Sequence, residues 1–443
     1  MISALVYLLF FLLLGLIIYG DAEKRFISFI IGTILFPTTA LFIKNPSISP
    51  QHIFLYTFLF IEISKDFRNF KQSLFHNPLR IPLFLILLSY ICSAAANSGI
   101  ASKELYYGAR DFLDTFGYVL TAFIIGKKID LESFVQKMYW PIIIVCIFGI
   151  IEGLLNTNIP YKIINSAFPI YEGYYSLNTD ISLRQDWRIR TCFTTKHPTA
   201  FGILLTTFFL FYLPYIKSIF FPKIKIYLLL SLIGVNIILC GSRTALCCTF
   251  IGIFIYVLNQ FSLKFRILVY GFILISLSSI LAYMIATFNY SSGSSLNFRQ
   301  KQFIFSYLAV QKSPIFGNGN KFTANYILQE TDNGNGKKAQ DSSGENMGGL
   351  ESIVFSLLID RGFIGLISYY LFLITFLILL YKKRHSEYAE GGYILILSGS
   401  FFLTLSGTIG NSSAFFFLFS GLLLGHVYQE DDLQEIENTS VEI

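Results

Sequence analysis

Long apolar runs, separated by short clusters of charged residues, dominate the pattern of this chain. A helix needs about 20 mostly apolar residues to cross roughly 30 Å of bilayer hydrocarbon. By this measure the sequence predicts an all-α polytopic membrane protein of about 12–14 transmembrane helices. The predicted spans are 2–20, 26–43, 51–64, 81–96, 112–126, 138–155, 198–214, 226–240, 244–259, 267–287, 352–380, 393–409 and 414–428.

The composition agrees with this pattern and excludes two other classes of protein. Hydrophobic residues make up 54% of the 443 positions and charged residues only 14%, whereas soluble domains carry about 25% charged residues. Soluble domains of this total length would lack the charge to cover their surfaces, and disorder needs few apolar residues. The chain is therefore predicted to form a single integral membrane domain over 1–443.

Basic residues alternate between the predicted loops and indicate the orientation. The loops after spans 1, 3, 5, 7, 9 and 11 hold seventeen Lys and Arg residues, and the short loops on the other side hold four. The positive-inside rule then places the amino end outside and the acidic tail, 429–443, in the cytoplasm. Because its basic residues follow the first span, that span is not expected to be a cleaved signal peptide.

Two segments on the predicted outer face, 156–197 and 288–350, are too long to be plain connections between helices. Such connections usually run about 2–8 residues, and longer loops tend to be functional. Residues 296–312 of the second loop mix aromatic and basic residues, which is typical of an amphipathic helix at the membrane interface. Any chemistry is therefore expected outside, at the membrane surface.

Basic residues crowd the end of the first external loop. Arg184, Arg188, Arg190 and Lys196 precede a span that opens at His197. Guanidinium groups match phosphate oxygens in pairs of hydrogen bonds, so a bound pyrophosphate would explain the cluster. A basic loop resting on anionic lipid headgroups is the alternative.

Three further charged residues lie beside apolar spans. Arg243 sits in the tight turn 241–246, where an ionisable residue suggests either a functional partner or a side chain that snorkels to the headgroups. Glu351 and Asp360 are two and a half helical turns apart, so they do not form a paired acid and base. Glu351, at the outer boundary, is the better candidate for a general base. A structural role stays open for each, including a helix break at Gly362.

The sequence contains no motif for a metal or a nucleotide. Its five histidines are scattered and its six cysteines form no disulfide framework. We find no Gly-rich phosphate loop, no Asp-x-Asp motif and no hydrolase elbow. No cofactor is therefore expected, and the energy for any transfer has to reside in the leaving group of the substrate.

Four motifs, in this order, resemble the O-antigen ligase/polymerase superfamily of bacterial surface-polysaccharide assembly. They are Arg190 with Lys196-His197-Pro198-Thr199-Ala200, Gly241-Ser242-Arg243-Thr244-Ala245-Leu246, Asn297-Phe298-Arg299 with Ser313-Pro314-Ile315-Phe316-Gly317-Asn318-Gly319, and Leu350-Glu351-Ser352 with Asp360-Arg361-Gly362-Phe363-Ile364-Gly365-Leu366. The likeness covers roughly residues 140–380.

One departure from the superfamily pattern separates two activities. Ligases of the superfamily carry a His-Asn pair shortly before the last motif, but here the stretch reads Glu345-Asn346-Met347, and 288–350 contains no histidine. This favours a polymerase of the Wzy type. The alternatives are an O-antigen ligase, which moves finished chains to lipid A-core, and a flippase for lipid-linked oligosaccharides.

The resemblance also implies a mechanism. Two undecaprenyl-diphosphate-linked oligosaccharides meet at the periplasmic face of the bacterial inner membrane, and the growing chain is transferred to a hydroxyl of the incoming unit without a metal. Membrane lipids and a chain-length regulator are further expected partners, and nucleic acid is not. The implied catalytic residues are Glu351 as the base and Arg190, Arg243 and Arg299 on the diphosphates, while Arg184, Arg188, Lys196, His197 and Asp360 are the implied substrate-binding residues.

Overall fold

The computed structural model of the protein describes residues 2–37, 40–43, 48–65, 67–97, 101–168, 183–185, 188–195, 197–262, 264–265, 294–320, 322–323, 352–384, 386–406 and 412–441. These residues contain fifteen α-helices, a 3-10 turn at Leu213–Lys217 and a two-stranded antiparallel hairpin. The elements are α1 (Ile2–Tyr19), α2 (Ala22–Leu35), α3 (Pro50–Lys65), α4 (Phe67–Phe75), α5 (Arg80–Ala96), α6 (Ala101–Gly126), α7 (Leu131–Leu155), α8 (Ile159–Asn165), β1 (Leu183–Gln185), β2 (Arg188–Ile189), α9 (Pro198–Tyr212), α10 (Lys223–Cys240), α11 (Arg243–Leu258), α12 (Ser294–Lys312), α13 (Ile353–Lys382), α14 (Glu387–Ser406) and α15 (Ser412–Val441).

The predicted fold class is confirmed: the protein has an all-α polytopic membrane fold. Within the described residues, five helices have both the length and the apolar composition to cross a bilayer: Ile2–Tyr19, Leu131–Leu155, Pro198–Lys217, Lys223–Cys240 and Ile353–Lys382. Arg80–Ala96, Arg243–Leu258 and Ala414–Gln429 are shorter apolar helices. The predicted span 267–287 falls outside the described residues.

Several helix boundaries differ from those predicted by apolar content alone. The second span was expected over 26–43, but α2 begins after Asp21, whose side chain accepts from the Lys24 N–H, and ends at Leu35. Phe36 is extended because a residue before proline, here Pro37, is disfavoured in the helical region. α6 begins at Ala101, earlier than expected. The expected helix over 296–312 is confirmed as α12.

The chain divides into two compact units. Unit 1 comprises Met1–Ile81, Asp111–Gly252 and Leu373–Ile443, and unit 2 comprises Pro82–Arg110 and Ile253–Phe372. The core of unit 1 is rich in aromatic rings, for example the Phe10 ring against the rings of Phe36, Phe54 and Phe168, with centroids 5.1–5.7 Å apart. Such aromatic pairs add to the stabilisation from apolar burial.

A buried ionic cluster joins α2, α3 and the turn that follows α6 in unit 1. The Arg25 guanidinium is bonded to Glu62 Oε1, and Lys128 Nζ lies 2.7 Å from Glu62 Oε2. Arg25 and Glu62 are 5% and 4% exposed. Because an isolated charge at such a position would carry a large desolvation cost, each charge depends on its partners.

In unit 2, helix α13 is interrupted at Gly362, whose φ is 64° and ψ −163°. The segment 313–320 packs into this break. The N–H groups of Asn318 and Gly319 donate to the carbonyl oxygens of Ile359 and Asp360, and the Phe363 N–H donates to the Pro314 carbonyl. Backbone groups that a continuous helix would satisfy internally are thus satisfied by a loop. We call Asp360–Gly362 the helix break and Ser313–Asn320 the inserted loop.

Candidate functional site

The turn 241–246, called here the arginine turn, connects the end of α10 to the start of α11. Gly241 adopts a left-handed conformation (φ 60°) and donates to the Ile238 carbonyl, which ends α10. The Ser242 hydroxyl accepts the Ala245 N–H at 3.3 Å and caps α11. Arg243 is therefore the first residue of α11, and its side chain is exposed. Glycine after a helix and serine before one are favoured for these roles.

The His197 side chain caps the amino end of helix α9, as the Ser242 hydroxyl caps α11. Its Nδ1 accepts the Thr199 N–H at 3.0 Å, and Pro198 occupies the first helical position. Because a neutral ring that accepts at Nδ1 carries its proton on Nε2, the Nε2 edge is the donor edge of this side chain. The structure shows that His197 caps α9. Its role in substrate binding stays a prediction.

Helix α9 lies directly against the arginine turn, because Gly202 leaves room for it. A Cβ added to Gly202 would lie 2.8 Å from Ala245 Cβ and 2.9 Å from Cys240 Sγ. One turn further along, Thr206 Oγ1 donates to the Ala245 carbonyl at 3.2 Å. The amino ends of α9 and α11 are thus neighbours, and amino ends of helices attract anions.

Arg190 is brought to the same turn. Its Nε donates to the Cys240 carbonyl at 3.0 Å, and the Thr191 N–H approaches the Leu239 carbonyl at 3.5 Å. These carbonyls end α10, where a cation is favourably placed against the helix dipole. Arg190 is therefore bonded to Cys240, which lies three residues before Arg243 in the chain. The joint action of the two arginines stays a prediction.

Glu152, which the sequence motifs did not single out, lies in the last turn of α7. It is 1% exposed, and its oxygens accept the backbone N–H groups of Cys192 and Phe193 at 3.1 and 2.8 Å. Burial, together with the neighbouring Glu152 carboxylate, raises the pKa of the Cys192 thiol well above its ordinary value. A carboxylate in an otherwise apolar span was the sequence signal that could have identified this residue.

An apolar groove of about 500 Å³ lies in unit 1 beside the segment that follows Arg190. Side chains of α1, α2, α7 and α8 line it, together with Phe193 and Thr194. Thr194 contributes the one polar side chain in this lining, and its hydroxyl donates to the Ile34 carbonyl. The groove therefore suits a hydrocarbon chain and offers almost nothing to a polar ligand.

Ser49, His52 and Asp114 form a second polar constellation in unit 1. His52 Nε2 lies 3.1 Å from Asp114 Oδ2, and Nδ1 lies 2.8 Å from Ser49 Oγ. The Ser49 backbone N–H also donates to Nδ1 at 3.0 Å, and Ser49 is fully buried. In return, the His52 N–H donates to Ser49 Oγ at 3.5 Å. This reciprocal bonding is a capping box with histidine in the place of glutamate, so it accounts for the start of α3 and does not identify Ser49 as a nucleophile.

Polar groups also gather at the helix break in unit 2. Asp360 Oδ1 accepts from the Thr323 N–H at 2.8 Å and from its hydroxyl at 2.6 Å, and the Asp360 carbonyl accepts from Ser93 Oγ. The Arg361 guanidinium lies 4.1 Å above the centroid of the Tyr90 ring. These contacts give Asp360 and Arg361 structural roles at the break, and the binding role predicted for Asp360 stays a prediction.

The remaining predicted site residues are described only in part. Arg184 lies in β1, Arg188 in β2 and Arg299 in α12. Glu351 and Lys196 fall outside the described residues. In the described part of the chain, no group of three His, Cys, Asp or Glu side chains is arranged to hold a metal ion.

Residues 226–370 match the model of a family described as Wzy_C, O-antigen ligase. The match includes the arginine turn, α12, the inserted loop and the helix break. A comparison with curated protein sequences found no match. The family match confirms the resemblance over 226–370, which holds three of the four motifs; the motif of Arg190 with 196–200 lies before it. The match supports O-antigen polymerase or ligase activity in a multi-pass membrane protein.

Proposed function

We propose that this chain, which carries a Wzy_C domain of the O-antigen ligase/polymerase superfamily, is a polymerase of undecaprenyl-diphosphate-linked oligosaccharide units. It would act at the outer face of the bacterial inner membrane and form O-antigen or a related surface polysaccharide. The observation that carries this proposal is the hydrogen bond from Arg190 to the Cys240 carbonyl at the end of α10, which holds a second arginine directly before the arginine turn.

The proposed reaction transfers the growing chain from its lipid to the incoming unit. The bond between the anomeric carbon and the diphosphate oxygen breaks, and a bond between that carbon and the acceptor oxygen forms. The electron pair leaves with the diphosphate, where Arg190, Arg243 and Arg299 stabilise the charge. The acceptor hydroxyl gives its proton to Glu351. Because the diphosphate is already a good leaving group, the proposal needs no metal.

The apolar groove supports a lipid-linked donor. Such a substrate has a diphosphate head and a polyprenyl tail. It therefore needs a cationic site for the head and, next to it, an apolar site for the tail. Phe193 and Thr194 line the groove, and they follow Arg190 by only three and four positions. The tail of the donor would occupy the groove while its diphosphate contacts the arginine turn.

The sequence of the second external loop favours polymerisation over ligation. Ligases of the superfamily carry a His-Asn pair before the last motif, and residues 288–350 contain no histidine. Ligation is the second candidate function, because the matching family is described as O-antigen ligase. A flippase is disfavoured, since flippases need a polar path through the bilayer.

Deletion of the gene in its own host tests the proposal. Surface glycans and lipid-linked glycans are separated on a gel before and after complementation with the wild-type gene. Single repeat units on the final acceptor, with no ladder, are the expected result. Long chains retained on undecaprenyl diphosphate, with a bare acceptor, would instead identify a ligase. An unchanged ladder would contradict both activities.

A further inference from the structure

Glu152 is a buried carboxylate that holds the backbone directly after Arg190. It is 1% exposed, and its Oε1 and Oε2 accept the N–H groups of two consecutive residues, Cys192 and Phe193. Glu152 lies near the carboxyl-terminal end of α7, one of the long apolar helices, so it fixes the loop to a rigid element.

The backbone at this point has an uncommon conformation. Phe193 has a φ of 50°, in the left-handed region that few residues other than glycine adopt. A left-handed residue makes successive N–H groups converge on one side of the chain, and such a concave arrangement binds anions. The Glu152 carboxylate occupies this position, and its two hydrogen bonds favour a conformation that would otherwise be strained.

The segment is held at further points on the same unit. The Asn158 side chain donates to the Phe193 carbonyl, and the Thr194 hydroxyl donates to the Ile34 carbonyl. Only Thr191 separates Cys192 from Arg190, whose Nε bonds to the Cys240 carbonyl. The direction of the Arg190 side chain therefore depends on where Glu152 holds Cys192 and Phe193.

We propose that Glu152 is a positioning residue for Arg190: its carboxylate fixes the Cys192–Phe193 backbone so that the Arg190 guanidinium faces the diphosphate of the donor. This inference rests on the proposed function. Glu152 does not contact the reacting atoms in this account. A displacement of about 1 Å at a group that orients a substrate can lower a rate about 100-fold, so Glu152 is expected to affect catalysis through Arg190 alone.

A double-mutant cycle on the full-length protein in proteoliposomes tests the inference. The substrates are undecaprenyl-diphosphate-linked repeat units extracted from the deletion host, and kcat and KM for chain extension are measured. The variants are Glu152→Gln, Arg190→Ala and the double variant. Glu132→Gln is the matched control, because Glu132 is an exposed carboxylate at the opposite end of α7. Protein level and thermal midpoint are recorded for each variant.

Glu152→Gln is expected to lower kcat/KM about 10–100-fold, because it replaces one of the two accepting oxygens with an NH2 group, which donates and cannot accept. In the Arg190→Ala background, the same change is expected to alter kcat/KM less than about threefold, since residues that act through one group are not additive. Effects that multiply in the double variant, or unchanged kinetics in Glu152→Gln, would overturn the inference. Absence of chain extension by the wild-type protein would instead contradict the proposed function.

Discussion

The side-chain amide and the backbone N–H of Asn318 both donate to the carbonyl oxygen of Ile359, at 3.0 and 2.8 Å. The same amide also donates to the Ala309 carbonyl at 3.0 Å. Asn318 therefore joins α12 to the first half of α13 at the helix break. Asparagine suits this position because it supplies two N–H donors on a short side chain.

We expect Asn318→Ala to destabilise unit 2 by about 1–3 kcal/mol, because it removes two hydrogen bonds and leaves the Ala309 carbonyl without this donor. The measurement is the thermal midpoint of the purified protein. Gln311→Ala, at an exposed position on α12, is the matched control and should leave the midpoint nearly unchanged. Equal midpoints for the two variants would contradict the role of Asn318.

The helix break should also depend on the absence of a side chain at Gly362. We expect Gly362→Ala to cost about 3 kcal/mol or more, since the residue has a positive φ and an added Cβ would collide with the Ile315 carbonyl oxygen. Lower expression and a lower thermal midpoint are the expected results. Gly234→Ala is the control, because a Cβ at Gly234 meets no atom within 4 Å; a tolerated Gly362→Ala would argue against the break.

Gly202 tests the contact between α9 and the arginine turn. We expect Gly202→Val to push these elements apart, because Ala245, Cys240 and Ser242 already surround the position. Overpacking of this kind costs about 1–3 kcal/mol, and the shift of the turn should shorten or remove the polysaccharide ladder. Gly15→Val, at a position where a Cβ meets no atom within 4 Å, is the control. A normal ladder from Gly202→Val would show that the close contact is dispensable.

Arg243 tests the proposed chemistry directly. We expect Arg243→Ala to lower the rate of chain extension about 10²–10³-fold, the loss typical when one charge-stabilising donor is removed, while protein level stays normal. Arg243→Lys should recover only part of the rate, because lysine lacks the planar fork of donors. Arg68→Ala, at an exposed position on α4, serves as the control. A full-length ladder from Arg243→Ala would remove Arg243 from the mechanism.

The ionic cluster around Glu62 predicts a graded loss of stability. We expect Glu62→Gln to cost about 3–5 kcal/mol, since it leaves the buried Arg25 without its carboxylate. Lys128→Ala should cost less, because the Lys128 side chain is 31% exposed and keeps part of its hydration. Thermal midpoints of the two variants provide the measurement, and the reverse order would contradict the assignment of the buried pair.

Apolar content predicted most of the helices because the bilayer imposes a length on every spanning segment. It placed their ends less well, since Asp21 and Pro37 determine the ends of α2 through local hydrogen bonding and sterics. The arginine turn could be predicted because glycine, serine and arginine each have a recognisable local role. The contact of Arg190 with Cys240 could not, because it joins residues fifty positions apart.

The bonding roles of Glu152 and Asn318 could not be predicted for a related reason. Each satisfies backbone groups of a distant segment, and no local spacing in the sequence reveals such a bond. Two of the predicted substrate-binding residues differ in whether their contacts could be predicted from neighbouring positions. His197 has a local capping role that its neighbour Pro198 signals, whereas the partner of Asp360 is Thr323, in another segment of unit 2.

The groove beside Phe193 has a consequence for inhibition. Its volume of about 500 Å³ lies within the range of about 300–1,000 Å³ that is typical of small-molecule sites. In the proposed orientation it belongs to the outer leaflet, so a branched hydrocarbon compound could reach it without entering the cytoplasm. Such a compound should compete with the lipid tail of the donor, raising KM for the donor and leaving kcat unchanged.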